Sequence, residues 1–312
     1  MSSPSGLPPI FAETPIALVP ACTVAEFPAN TFLESIAIGP DNTLFITSHL
    51  DGKIFRIDSS GKPIVHTTIA GKATGLTFTA DGNLLLTAWN EQNISTVFTL
   101  SPQGDAAVLV TMPDAIFLHG LTPLKGDFYL IADSYRGAIW QLNAAEKTVS
   151  IWLEHPALAR SSTENEFPAV NGLKIFGNTL YASNTEKMQI VKIPIQPDGQ
   201  PGEPEIFLQA VNLDDFAFDQ EGNLYGTTHI YNSVVKITPD GSVTTIAQAE
   251  QGMTGSTALA FGQREDDRTC LYVVTNGGMS FPPSTGLEPA KVVWLDVGIA
   301  GYPLQRSQAV MS

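Results

Sequence analysis

The sequence predicts an all-β chain, a six-bladed β-propeller whose last blade is closed by the N-terminal strand. Three observations predict it. One strand-turn-strand unit recurs six times, its copies start 40 to 52 residues apart, and the sixth copy ends before it can supply a fourth strand. That interval is the length of a four-stranded propeller blade.

The units are anchored by their turns. Pro40-Asp41-Asn42, Ala80-Asp81-Gly82, Leu124-Lys125-Gly126, Phe176-Gly177-Asn178 and Gln220-Glu221-Gly222 each separate two short apolar or alternating runs, as hairpin turns do. Ahead of each turn stands a polar residue followed by a small one and an aliphatic or aromatic one. These heads read Glu34-Ser35-Ile36, Thr74-Gly75-Leu76, His119-Gly120-Leu121, Asn171-Gly172-Leu173, Asp214-Asp215-Phe216 and Thr257-Ala258-Leu259. Second strands such as Leu44 to Thr47, third strands such as Lys53 to Ile57 and fourth strands such as Ile64 to Ile69 follow, rich in Val, Ile, Thr and Phe with period-two alternation. In the sixth unit only Leu271 to Val274 and Val292 to Leu295 follow the head, and Thr23 to Phe27 is the segment free to complete that blade. The expected organisation is an N-terminal extension over 1–22, a propeller over 23–297 and a C-terminal tail over 298–312. Two Ser-, Pro-, Gly- or Asn-rich segments, 159–170 and 277–290, interrupt the order; they read as surface insertions, or as covers for a pocket at the propeller mouth.

Composition narrows the function classes. The 312 residues are 43% hydrophobic and 15% charged, which suits an extensively buried domain. A formal charge of −15 argues against nucleic acid, because phosphate binding needs clustered Lys and Arg. No apolar run reaches the roughly 18 residues of a membrane span, and Met1 to Ser5 lacks the basic, apolar start of a secretion signal. The expectation is a cytoplasmic protein, monomeric or dimeric, with a small molecule as partner and no membrane contact. Cys22 and Cys270 read as buried free thiols on strands, and two cysteines cannot build a cysteine zinc site.

The head of each inner strand lies at one mouth of a propeller's channel, so six side chains face one axis: Glu34, Thr74, His119, Asn171, Asp214 and Thr257. Two carboxylates crowded there repel unless a cation lies between them. Carboxylate and amide oxygens suit Ca²⁺, Mg²⁺ or Mn²⁺, and a histidine also admits Zn²⁺. Strand-end caps binding ordered water are the alternative role for any single head. Past the second strands stand His49, Asn90, Asp133, Asn184, His229 and Asn276, a second polar ring at the same mouth, in which His49 and His229 have the chemistry to move protons near neutral pH.

The heads Glu34-Ser35, Asn171-Gly172-Leu173 and Asp214, each followed by its strand and turn, resemble the metal-binding positions of the senescence-marker-protein and gluconolactonase family. Those proteins are six-bladed propellers that hydrolyse lactones with one divalent cation. The resemblance runs from about Thr23 to Val297 and extends more distantly to paraoxonase-type lactonases, whose aspartate is also followed by a polar residue, as Asp214-Asp215 is here. It implies one ion, calcium first with zinc, manganese or magnesium as alternatives, held by Glu34, Asn171 and Asp214. His119 stands in for the family's second asparagine. It further implies a catalytic base at Asp214, with His119 as the other catalytic candidate, and an additional or outer ligand at Asp215. Where the family carries a sugar-holding arginine two residues before that asparagine, this chain has Phe117, an exchange suited to a more apolar ester or lactone. Packing between blades is the other role open to Phe117 and Trp89. His49, Trp89, Asn90, Phe117, Asp133, Asn184 and His229 are the expected substrate-binding residues. The expected activity is lactone or ester hydrolysis; a non-catalytic binding or scaffold propeller and a strictosidine-synthase-like enzyme are the alternatives.

Overall fold

Each hairpin anchor offers a residue that tolerates a positive φ, and the chain folds back across it. Asn42 sits at φ 67° and Gly82 at φ 83° between the first two strands of their blades. In the computed structural model, which describes residues 14–303, the strands assemble into six four-stranded antiparallel sheets. The first five run outward in chain order from inner strands at Leu33–Ile38, Gly71–Phe78, Leu118–Lys125, Val170–Phe176 and Phe216–Phe218.

The sixth blade is closed by the N-terminal strand. Its order is Ser256–Phe261, Cys270–Thr275, Pro289–Asp296 and then Ala21–Ala29, with Phe27 opposite Ala290 and Ala21 opposite Leu295. The closing strand thus begins two residues before Thr23. Ile16, within the expected extension, pairs with Thr245 on the outer strand of blade five. In the expected tail Gly301 pairs with Asp219, and the amide of Tyr302 donates to the Phe218 carbonyl at 2.8 Å. Residues 1–13 of the extension, Met1 to Ser5 among them, and 304–312 of the tail lie outside the described residues.

The hydrophobic core is distributed as six clusters, one at each junction between neighbouring blades. Phe45 and Ile54 of blade one pack with Leu76, Leu84 and Leu86 of blade two, and Phe27, Val274 and Val292 of blade six pack with Ile36 and Ile46 of blade one. Each fully buried Leu or Ile contributes roughly 1.5–3 kcal/mol, so the inward faces of the sheets hold the ring together. Cys270 is buried as expected, but Cys22 is exposed, because it lies on the outermost strand of its blade. Both are free thiols. No helix among the described residues is long and apolar enough to cross a membrane.

A hydroxyl relay locks the inner strands to one another. Thr47 accepts the amide of Ser35 at 2.9 Å and donates to the carbonyl of Thr74 in the next blade at 2.8 Å. Thr87 accepts from Gly75 and donates to His119, and Thr227 accepts from Asp215 and donates to Thr257. Ser183 occupies the same position between Gly172 and Asp214. Thr257 then donates to the Leu33 carbonyl at 2.7 Å, which joins the last blade to the first.

Candidate functional site

Five of the six heads reach the axis because their strands bulge there, while Asp214 lies just ahead of its strand. Pairing slips between Leu33 and Ile36, Ala73 and Leu76, Leu118 and Leu121, Val170 and Leu173, and Ser256 and Ala258. An extra residue in an edge strand of a pair breaks the alternation and re-aims the side chain beside it. The small residue after the head is required by the next blade: a Cβ on Gly120 would lie 2.3 Å from the Asn171 carbonyl oxygen, and one on Gly75 2.2 Å from that of His119. The threonine heads serve the ring, since Thr74 donates to backbone carbonyls as Thr257 does. The other four heads form the centre.

Glu34, His119 and Asp214 are buried, and a ligand atom from each lies within 4.8 Å of the others. His119 Nε2 is 2.8 Å from Glu34 Oε1, His229 Nδ1 is 2.7 Å from Asp214 Oδ2, and Asn171 Nδ2 donates to Asp214 Oδ1 at 2.6 Å. Two buried acceptors, Glu34 Oε2 and Asn171 Oδ1, have no partner among the described residues. Unpaired buried oxygens are costly, and two of them beside two carboxylates fit a hard divalent cation. Asp215 is turned away from this centre and bonds Lys174 Nζ at 2.5 Å.

The electrostatics follow from this pairing. Burial alone would raise the Glu34 carboxyl, but the hydrogen bond and charge of His119 bring it below its ordinary value. Burial would lower His119, and Glu34 overrides it and raises the imidazole. Burial raises Asp214, with Glu34 adding to it and His229 opposing; Asp214 in turn raises His229 against burial. Asn276 settles the tautomer of that last pair. Its oxygen accepts from the amides of Gly278 and Met279, so its NH₂ group faces His229 Nε2 at 2.9 Å and the ring proton sits on Nδ1, toward Asp214.

A cavity of about 430 Å³ opens above this centre, lined by Phe32, His49, Phe117, His119, His229 and other residues. One wall is aromatic. Trp89 and Phe117 stack with centroids 4.5 Å apart, Tyr135 lies 5.0 Å beyond Phe117, and His49 packs 5.6 Å from Phe32. Among the expected substrate-binding residues, His49, Phe117 and His229 line the cavity, while Trp89 backs Phe117 and donates its indole N–H to the Ile116 carbonyl at 2.8 Å.

Three polar residues of the expected second ring do other work. Asn90 caps its own turn by accepting from the amides of Gln92 and Ile94. Asp133 accepts from the amides of Ile116, Phe117 and Arg136 and from the Trp140 indole, so it holds the Phe117 loop instead of meeting a ligand. Asn184 donates to the carbonyls of Ala157 and Ala159. Placing these three as substrate contacts is therefore corrected: a short polar side chain at a strand end finds local backbone first. Glu166, Phe167 and Pro168 of the 159–170 segment and Ser280 of the 277–290 segment do line the cavity, and Glu186 clamps the first segment through Ser161 and Asn165. These linings, with Thr185 and Asn212, were not legible from the heads. The relay hydroxyls are not singled out by the sequence either; a Ser or Thr does recur eleven or twelve residues after the head's neighbour in five units, but only four of these form the relay.

No protein-family model matches the chain. A protein from Phoma sp. provisionally named a hetero-Diels-Alderase is 22% identical over 300 residues, covering 80% of this chain and 85% of its own length. Among solved structures, a calcium-binding regucalcin from Agrobacterium tumefaciens str. C58 superposes with a TM-score of 0.73 at 15% identity, covering 95% of this chain and 100% of that one. A gluconolactonase from Xanthomonas campestris gives 0.67 at 15% identity over 90% and 91% of the two chains. A luciferin-regenerating enzyme gives 0.72 at 14% identity over 93% and 100%. The chain has the six-bladed propeller fold of these structures.

Proposed function

We propose that the chain is a divalent-cation-dependent hydrolase acting on an apolar lactone or related ester. The observation that carries this reading is the buried cluster of Glu34, His119 and Asp214, with Glu34 Oε2 and Asn171 Oδ1 unpartnered beside it. Glu34, Asn171 and Asp214 would hold the ion, with His119 bonded to Glu34 beside it, calcium being the first candidate from its oxygen-rich donors and from the calcium-binding regucalcin of like fold. When bound, the cation supplies Lewis acidity toward an ester carbonyl and toward water. The residues of the chain do the remainder. Asn171 and His229 fix the Asp214 carboxylate from both sides, and the aromatic wall from Phe32 to Tyr135 receives a flat apolar group and keeps water from it.

A second reading is a cation-free enzyme that closes a ring on a small apolar molecule. It is favoured by the pairing of one imidazole with each carboxylate, which gives both a hydrogen-bond partner without an ion, and by the sequence similarity to the Phoma protein. Elemental analysis of the purified protein, with melting curves in Ca²⁺, Mn²⁺ and Zn²⁺, separates the two. The hydrolase reading expects about one ion per chain and a higher melting temperature in the cognate ion, since a ligand that binds only the folded state stabilises it. No ion and no shift in any of the three would overturn it.

A further inference from the structure

We propose that His49 Nε2 is the proton acceptor of this cavity; its use in hydrolysis rests on the reading above. His49 Nδ1 lies 2.8 Å from the carbonyl oxygen of Ala73. A carbonyl oxygen only accepts, so Nδ1 carries the proton and the neutral ring presents a lone pair at Nε2. Nε2 has no hydrogen-bond partner among the described residues, and His49 lines the cavity. The backbone thus fixes the tautomer that a base requires.

The other candidates are already engaged. Asp214 accepts from Asn171 at one oxygen and from His229 at the other. His229 uses both nitrogens, one toward Asp214 and one toward Asn276. His119 Nε2 faces Glu34, and the unpartnered Glu34 Oε2 belongs to a carboxylate held ionised by that histidine, which makes it a weak base. The surroundings of His49 agree with a neutral ring: Phe32, Trp89 and Phe117 pack around it, burial lowers its pKa, and the charges facing it are Glu34 on one side and His119 and Lys72 on the other.

In hydrolysis the step balances without a further reactant. Water gives one proton to Nε2 as its oxygen bonds to the ester carbonyl carbon. The carbon–oxygen bond to the alcohol portion then breaks, and the same proton passes from Nε2 to the departing oxygen, leaving acid and alcohol.

The test compares the whole protein with His49→Asn, whose amide still donates to the Ala73 carbonyl but lacks the second nitrogen. Aryl acetates and aromatic lactones are the probes, with D-glucono-δ-lactone as polar comparator. Removing a general base is expected to lower kcat about 100-fold or more, with KM changed less than about 3-fold. The acid limb of the wild-type pH profile, set by a group titrating below the ordinary 6.5 of histidine, should vanish in the variant. A variant kcat within about 3-fold of wild type, or a persisting acid limb, overturns the proposal.

Imidazole ¹⁵N NMR of histidine-labelled protein, assigned with the same variant, gives a readout without turnover. A neutral Nδ1–H ring at pH 7 is expected; an Nε2–H or doubly protonated ring overturns the proposal whatever the substrate. Should wild type cleave none of the probes while His49 shows the expected tautomer, the hydrolase reading falls and the proton acceptor stands.

Discussion

Asp133→Ala should destabilise the protein and disturb the cavity, although Asp133 itself does not line it. Asp133 has 0% exposure and accepts four hydrogen bonds: from the amides of Ile116 and Phe117 at 2.9 Å each, and from the Arg136 amide and the Trp140 indole at 3.2 Å each. A hydrogen bond to an ionised acceptor is worth about 1.5–3 kcal/mol, and a buried donor left unpaired costs about 1–3 kcal/mol. If only the two short bonds are lost without replacement, the cost is about 3 kcal/mol. For a chain of this size that corresponds to a fall of roughly 6–12 °C in melting temperature. Water entering the vacated space would re-bond some donors and bring the cost toward about 1 kcal/mol. Differential scanning calorimetry decides, with near-UV circular dichroism reporting the Trp89–Phe117 stack that this loop carries. A melting temperature within about 3 °C of wild type and an unchanged aromatic signal would refute the idea that one carboxylate holds the wall.

Other expected outcomes test the ring and the centre. Thr257→Val removes the hydroxyl that closes blade six on Leu33 and should cost about 1–3 kcal/mol in urea unfolding. Gly120→Ala drives a Cβ against the Asn171 carbonyl and should cost about 1–3 kcal/mol, with a larger functional loss because Asn171 is displaced. Glu34→Gln keeps the shape and removes the charge; a divalent ion that raises the wild-type melting temperature should no longer do so, measured by thermal shift with and without chelator. The His49 pKa lies below the 6.5 of the unfolded chain, so the unfolded state binds more protons between the two values. Its contribution is therefore fully present above 6.5 and is lost as pH falls through the folded value. Stability relative to His49→Asn, followed by urea titration from pH 8 to about pH 4, should decline on the acid side.

What the sequence discloses about this protein depends on whether the cause is local. The turns at Asn42 and Gly82 and the alternation of the strands are written in adjacent residues, so the blades and their number are legible. Most heads are legible too, since five of the six are placed by a bulge in their own strand, and three are followed by a glycine that the neighbouring blade demands. Asn90, Asp133 and Asn184 share the position of His49 and His229 relative to their strands, yet they bond to nearby backbone while the two histidines line the cavity. Position in the repeat does not separate these outcomes. What separates them is which loop lies within reach, and the loops at 114–117 and 157–160 are the irregular parts of the chain.

The chemistry of the centre turns on the same distinction. The family resemblance implies that Glu34, Asn171 and Asp214 face a cation. Two imidazoles change that: His119 arrives from a head and His229 from a loop, and each engages one carboxylate. The positive charge on His119 competes with a cation, because an ion drawn to Glu34 must share it with that ring. Glu34 Oε2 and Asn171 Oδ1 remain unpartnered after both histidines have bonded, so the pairing leaves an acceptor pair that only a further positive group or donor satisfies. A cation there would be held more weakly than by the same oxygens without His119. Replacing His119 by Asn should therefore tighten the ion, lowering its apparent dissociation constant in a calcium titration. An unchanged or weaker affinity in that variant would mean that His119 is itself a ligand through the nitrogen now turned to Glu34.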